Sequence, residues 1–212
     1  MVKCERTFPA PLSLSKRKSY NEVDTIQQLK EVFHDKCYIC EMQGLQDGIP
    51  EHLVSHKGNE DLKFNWENLF WACNRCNLIK NRQEYEGKII DCCKVDPEKH
   101  LRSVYEPHEG IILVKAKDTY ETSKMTAQLI TEAFNLNNTG LRVSSAAERM
   151  KAFRKEWDIF FKLLQNYVND KKKFTFNKIK SKLRRKTAFA AIKRDYIRIH
   201  QSEYKEFQTF LN

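Results

Sequence analysis

No apolar run in this sequence approaches the roughly twenty residues that a bilayer-spanning helix needs. Its first residues, Met-Val-Lys-Cys-Glu-Arg, lack the apolar segment of a secretory signal. The first absence argues against a membrane-spanning helix. The second predicts a reducing, cytoplasmic setting in which thiols bind metal rather than pair. An even cysteine framework is missing too: there are seven cysteines. No repeat and no low-complexity tract is visible. What remains is 212 residues, 41% hydrophobic and 31% charged, enough for one good core or two small ones. Acidic residues are scarce in one stretch. Between Lys151 and His200 there are sixteen Lys and Arg against four Asp and Glu, which leaves twenty-two against twenty-four elsewhere. A localised basic surface attracts a polyanion through counterion release, so Lys182, Arg184, Arg185 and Lys186 are candidate nucleic-acid contacts. A solvated helix face or an acidic protein partner would explain the same run.

The chemistry-bearing residues lie between Cys37 and Lys80. Cys37-Tyr-Ile-Cys40 and Cys73-Asn-Arg-Cys76 are separated by thirty-two residues. Each pair presents two soft thiolates from one tight turn, as tetrahedral zinc requires with Zn–S near ~2.3 Å. Cys37, Cys40, Cys73 and Cys76 are therefore read as a structural zinc site. Cys4, Cys92 and Cys93 are left over, as buried or incidental thiols. The gap is too long for a plain zinc ribbon, so something is inserted between the knuckles.

That insert contains Glu51-His52-Leu53-Val54-Ser55-His56 and Trp66-Glu67-Asn68-Leu69, and Asn77 follows the last cysteine directly. Phosphodiester hydrolysis needs a base that is neutral near pH 7, and imidazole has that pKa. It also needs a cation on the leaving oxygen, for which a carboxylate and an amide oxygen suit Mg²⁺ or Mn²⁺. A bland reading remains, with Glu51 and His52 in a solvated loop and Asn77 as a helix cap.

The order of these residues resembles the HNH (His-Me finger) nucleases. The resemblance implies that Glu51 and Asn77 hold the catalytic cation, that His52 is the general base, and that Asn68 fixes the loop behind it. Lys80, one turn beyond Asn77, becomes a further nucleic-acid contact. Where the family often has a proline soon after the histidine, this chain has Ser55-His56, so His56 is a second candidate base.

In chain order, residues 1–19 read as an extended arm with Pro9, Pro11 and Lys16-Arg17-Lys18. A helix over 21–35 carries Ile26, Leu29, Val32 and Phe33. Glu51 to Ser55 is expected as the first hairpin strand, with Gly58-Asn59 as its turn. Phe64, Trp66, Leu69, Phe70 and Trp71 are expected as core. Lys88 to Cys92, Leu101 to Tyr105 and Gly110 to Val114 are expected to be extended. Met125 to Phe134 is a helical stripe that stops at Asn135-Leu136-Asn137-Asn138-Thr139-Gly140. Ser145-Ala146-Ala147-Glu148 reads as a capping box opening a helix to Val168. Phe176, Ile179 and Leu183 predict another helix, and Phe189 to Phe210 a last one.

The expected architecture is α+β, with an arm (1–19), a zinc-stapled ββα-metal core (20–118) and a helical, basic part (119–212). The approximate Lys3, Arg6, Pro11 pattern, Asp96-Pro97, the Gly110-Ile111 strand and the Leu136-Asn137 to Leu141-Arg142 junction further resemble the PtuB family, the HNH effectors of Septu-type bacterial antiphage systems. That resemblance implies DNA as substrate and a PtuA-like ATPase as partner in a hetero-oligomer, docked on the arm to Tyr20 and on the carboxy-terminal helices. Two other readings stand beside it. One is a non-catalytic zinc module that binds nucleic acid or bridges proteins; the other is a stand-alone restriction or homing nuclease.

Overall fold

The chain enters the first cysteine pair through α1 (Leu12–Ser15) and α2 (Val23–Val32), whose Leu29 and Val32 are buried. Strand β1 (Gly48–His52) then pairs antiparallel with β2 (Leu69–Cys73), Gly48 facing Cys73 and His52 facing Leu69. The segment between them holds α3 (Glu60–Lys63), whose first turn is capped by the Asn59 side chain, and a single turn at Trp66–Asn68. Helix α4 (Asn74–Lys80) starts directly from Cys73. The second cysteine pair thus sits at the start of α4, and Tyr38 N, donating to Trp71 O at 3.0 Å, holds the first pair beside the end of β2. Gly48 is required where it stands, because a Cβ there would collide with the Trp71 ring.

A second hairpin follows α5 (Pro97–His100). It consists of β3 (Leu101–Glu106) and β4 (Ile111–Ala116), with Leu101 facing Ala116. Helix α6 (Glu121–Asn135) lies against β4, where Thr131 Oγ1 accepts from Val114 N at 3.0 Å and Asn135 Oδ1 from Ile112 N at 3.1 Å. The rest is helical: α7 (Gly140–Asp170), α8 (Lys173–Lys182) and α9 (Ala190–Ile199), closed by a turn at Lys205–Phe210. The computed structural model describes residues 1–135 and 140–211, and it is mixed α+β with two small antiparallel sheets. Among these residues no helix is long and apolar enough to cross a membrane.

Several expectations change. The first strand ends at His52 rather than Ser55, because beyond it the chain bends away and only Leu53 N still reaches Asn68 O, at 2.9 Å. Lys88 to Cys92 is irregular, since the Ile90 amide is taken by the Thr126 hydroxyl at 2.9 Å instead of a strand. Position 145 does not open a helix: α7 has begun by Gly140. The stop expected at Asn135 to Gly140 falls largely on 136–139, outside the described residues, as do Leu136-Asn137 of the junction. The last helix is interrupted after Ile199, where His200 leaves the helical region, and Phe207 is buried by a separate turn.

The arm is part of the fold. Met1, Val2, Cys4 and Leu14 are buried, and Cys4 N donates to Cys92 O at 3.0 Å. Arg6 reaches back to Trp66 O at 2.7 Å and Leu69 O at 3.0 Å, with its guanidinium over the Trp66 and Phe70 rings. A polar group that closes two backbone acceptors and stacks on two rings is a structural strut rather than a free docking arm. One hydrophobic core runs from Met1 to Leu211, across the boundary expected at 118/119.

Candidate active site and metal centre

Cys37, Cys40, Cys73 and Cys76 are all buried, and their Sγ atoms lie within 4.8 Å of one another. Cys40 and Cys73 are 3.9 Å apart, against about 3.8 Å for the edge of a Zn–S₄ tetrahedron. The group is thus able to hold zinc. Two local features build it. Glu41 N donates to Cys37 O at 2.9 Å, and Glu41, with φ 60°, then turns the chain so that Met42 O accepts from Cys37 N at 2.9 Å. Arg149, on α7, places Nη2 3.3 Å from Cys73 Sγ and donates from Nη1 to Ala133 O at 2.9 Å. Burial works against the Arg149 charge, but the negative charge of the Cys40, Cys76 and Cys73 thiolates more than offsets it and holds its pKa above the usual guanidinium value. A positive group beside four thiolates lowers the cost of burying a doubly negative centre.

Beside this group opens a cavity of about 530 Å³, lined among others by Glu51, His52, Ser55, His56, Asn77 and Lys80. The structure therefore gathers the histidines, the carboxylate and the amide that the sequence singled out. His52 Nε2 lies 2.9 Å from Lys63 O. A carbonyl only accepts, so Nε2 carries the proton and Nδ1 keeps its lone pair. Burial lowers the His52 pKa below the ordinary imidazole value, the Lys63 carbonyl pulling against it, with His56 and the Lys80 charge adding to the lowering. The ring is neutral at pH 7. It packs edge-on against Tyr20 and His56, at 4.7 and 4.8 Å between centroids. His56 Nδ1 instead accepts from Gly58 N at 3.1 Å, in a turn where Lys57 and Gly58 have positive φ. Its basic nitrogen is already engaged.

Asn68 closes the segment that follows His52. Its Oδ1 accepts from Val54 N at 2.9 Å, while Nδ2 donates to Val54 O at 2.9 Å and to Leu62 O at 3.0 Å. Asn77 and Lys80, three residues apart, share one face of α4. Asn77 Oδ1 accepts from Asn81 Nδ2 at 3.1 Å.

Lys80 is used differently from the expected nucleic-acid contact. It is 3% exposed, pairs with Glu51 Oε2 at 3.1 Å and donates to His52 O. Tyr38 Oη donates to the other Glu51 oxygen. Burial pushes the Glu51 carboxyl up, with Lys80 and Tyr38 pulling it back. Burial, reinforced by Glu51, keeps the Tyr38 phenol protonated as a donor. Sequence reading missed Tyr38, although it lies between Cys37 and Cys40 of the four-cysteine group; it also missed Tyr20 and Arg149, for which no local signal exists.

The basic tail is also reassigned in part. Lys182 pairs with Glu156 at 2.9 Å, and Arg185 with Asp96 at 2.7 Å and Glu98 at 3.0 Å. Arg194 and Arg198 converge on the same buried Glu98 at 2.6 and 2.9 Å. Part of the positive excess is therefore paired within the fold, and of the four expected contacts Arg184 and Lys186 are the exposed ones. No family model matches the chain, and comparison with curated proteins and with solved structures found no match either.

Proposed function

We propose that this chain is a metal-dependent endonuclease of the HNH, ββα-metal type that hydrolyses DNA phosphodiester bonds, with zinc in the four-cysteine group as its structural staple. The observation that carries this reading is the His52 Nε2 bond to Lys63 O at 2.9 Å. It fixes the tautomer in which Nδ1 takes a proton, on a ring that lines the cavity and is kept neutral by burial. Glu51 and Asn77 offer the two hard oxygens on the same cavity that Mg²⁺ or Mn²⁺ takes. When bound there, such an ion would supply positive charge to the leaving oxygen. The rest falls to the protein. His52 removes the proton of an attacking water, Lys63 O holds the imidazole in orientation, and Asn68 holds the segment that leads to Lys63. Arg184 and Lys186 are positioned on the surface for the backbone of a polyanion.

The effector role in an antiphage complex with a PtuA-like ATPase rests on the resemblance of motifs. With the arm built into the core, the carboxy-terminal helices are the docking surface that remains. The rival reading, a zinc module without catalysis, is favoured by the pairing of Glu51 with Lys80. The two part company in one experiment. Supercoiled plasmid is incubated with the full chain and Mg²⁺ or Mn²⁺, with and without chelator. Cation-dependent nicking or linearisation that His52→Ala lacks is expected. Zinc-loaded, folded protein that binds DNA and never cuts it would establish the rival.

A further inference from the structure

Glu51 is the one carboxylate on the cavity wall that the nuclease reading gives to the catalytic cation, yet both of its oxygens already have partners. Tyr38 donates to Oε1, and the Lys80 ammonium sits 3.1 Å from Oε2. The Lys80 and Glu51 side chains are 3% and 1% exposed, so water does little to screen the pair. A hydrogen bond from a neutral phenol leaves a lone pair on Oε1 and so does not bar a cation. A second full positive charge does. A divalent ion brought onto this carboxylate meets the ammonium at close range, in surroundings where like charges repel strongly.

Lys80 nevertheless has somewhere to go. It lies on the wall of the same cavity as His52 and Asn77, and its charge is carried on a flexible four-carbon stem. Its second hold is a single carbonyl, His52 O. Helix α4, to which it belongs, is fixed at its start by Cys73 and Cys76, so a departure of the ammonium involves the side chain and not the helix.

Building on the nuclease reading, we infer that Lys80 is a resident counter-ion that competes with the divalent cation for Glu51, so that the cation site forms only as Lys80 turns away toward an anion in the cavity. A phosphodiester entering the cavity supplies that anion. Substrate and cation then bind with positive coupling, and the chain without substrate holds its divalent ion weakly. By reciprocity the ion also strengthens the hold on substrate by the same factor.

Two measurements on the full, zinc-loaded chain test this. In the first, Mn²⁺ binding is followed from the loss of the free-ion paramagnetic resonance signal for wild type, Lys80→Gln and Glu51→Gln. Lys80→Gln keeps a donor for Glu51 and His52 O and removes the charge. It should bind Mn²⁺ at least about tenfold more tightly than wild type, and Glu51→Gln should not bind it. Equal or weaker binding by Lys80→Gln overturns the competition while leaving the nuclease reading in place. Binding by Glu51→Gln as tight as wild type removes Glu51 from the cation site and overturns both. The second measurement needs no variant. Wild-type protein is acetylated briefly, and modification of Lys80 is read by peptide mass spectrometry. Buried Lys80 should react slowly, and saturating Mn²⁺ should speed its labelling several-fold relative to the exposed Lys186. Unchanged or slower labelling of Lys80 overturns the inference even if the variant does not fold.

Discussion

Asn68→Ala isolates the part of the site that is built from hydrogen bonds alone. The residue is 6% exposed, and its amide satisfies Val54 N, Val54 O and Leu62 O at 2.9 to 3.0 Å. Truncation leaves one donor and two acceptors without a protein partner. At a net value of about 1 kcal/mol for each bond the loss reaches about 3 kcal/mol. Val54 is exposed, so water recovers part of this, and a destabilisation of about 2 kcal/mol is expected. The same truncation loosens the segment that carries the Lys63 carbonyl, and with it the orientation of His52. Misplacing a base by about an ångström costs on the order of 10²-fold in rate. The assay pairs urea unfolding with single-turnover cleavage at saturating protein. Asn68→Asp serves as the shape control, since it keeps the acceptor for Val54 N but turns an oxygen toward two carbonyls. If Asn68→Ala and Asn68→Asp unfold within about 0.5 kcal/mol of wild type and cut at its rate, the clamp does not do what its geometry implies.

Three further outcomes are expected. Cys73→Ser should give zinc-free, poorly folded protein, because a structural zinc contributes on the order of 10 kcal/mol, whereas Cys93→Ser should retain zinc by elemental analysis. Burial alone would raise the Glu98 pKa, but Arg194 and Arg198 more than offset it and hold it below 4.5. A depressed carboxylate contributes its stability above the unfolded pKa and loses it as pH falls through the folded one. Glu98→Gln should therefore cost about 3 kcal/mol or more at pH 7 in denaturant melts, with the gap to wild type narrowing below pH about 4. Reversing the charge of Arg184 and Lys186 should weaken DNA binding and flatten its salt dependence, by up to about two in the log–log slope. Reversing Lys182 and Arg185 should chiefly lower stability.

What the sequence revealed, and what it hid, follows from the range of each interaction. The four thiols were legible because the two pairs repeat one local spacing, two residues between cysteines. Asn77 directly follows the second pair and Asn68 directly precedes the strand that leads into it, whereas Glu51 and His52 meet that strand only through the pairing of β1 with β2. Charge was misread because a count cannot say which side of a helix is buried. Arg185, Arg194 and Arg198 look like a polyanion surface until Glu98, about ninety residues earlier, is folded under them. Lys80 is the same case at the site itself. One helical turn from Asn77 it looks ready for phosphate, and only the pairing of β1 with β2 brings Glu51 to it. Arg6 and Arg149 have no local pattern, since each satisfies backbone or thiols more than fifty residues away. The Ser145 box failed for a simpler reason: a capping pattern inside a longer helix is only a set of helix-compatible residues.

The central claim is that His52, not His56, takes the proton of the attacking water. His52→Ala and His56→Ala are compared side by side in single-turnover cleavage of a labelled duplex with Mn²⁺, at protein concentrations that saturate binding and with zinc content checked for both. The account predicts a fall of about a hundredfold or more for His52→Ala, with DNA affinity nearly intact, and a mild effect for His56→Ala. The reverse ranking, or wild-type rates from both, would contradict it.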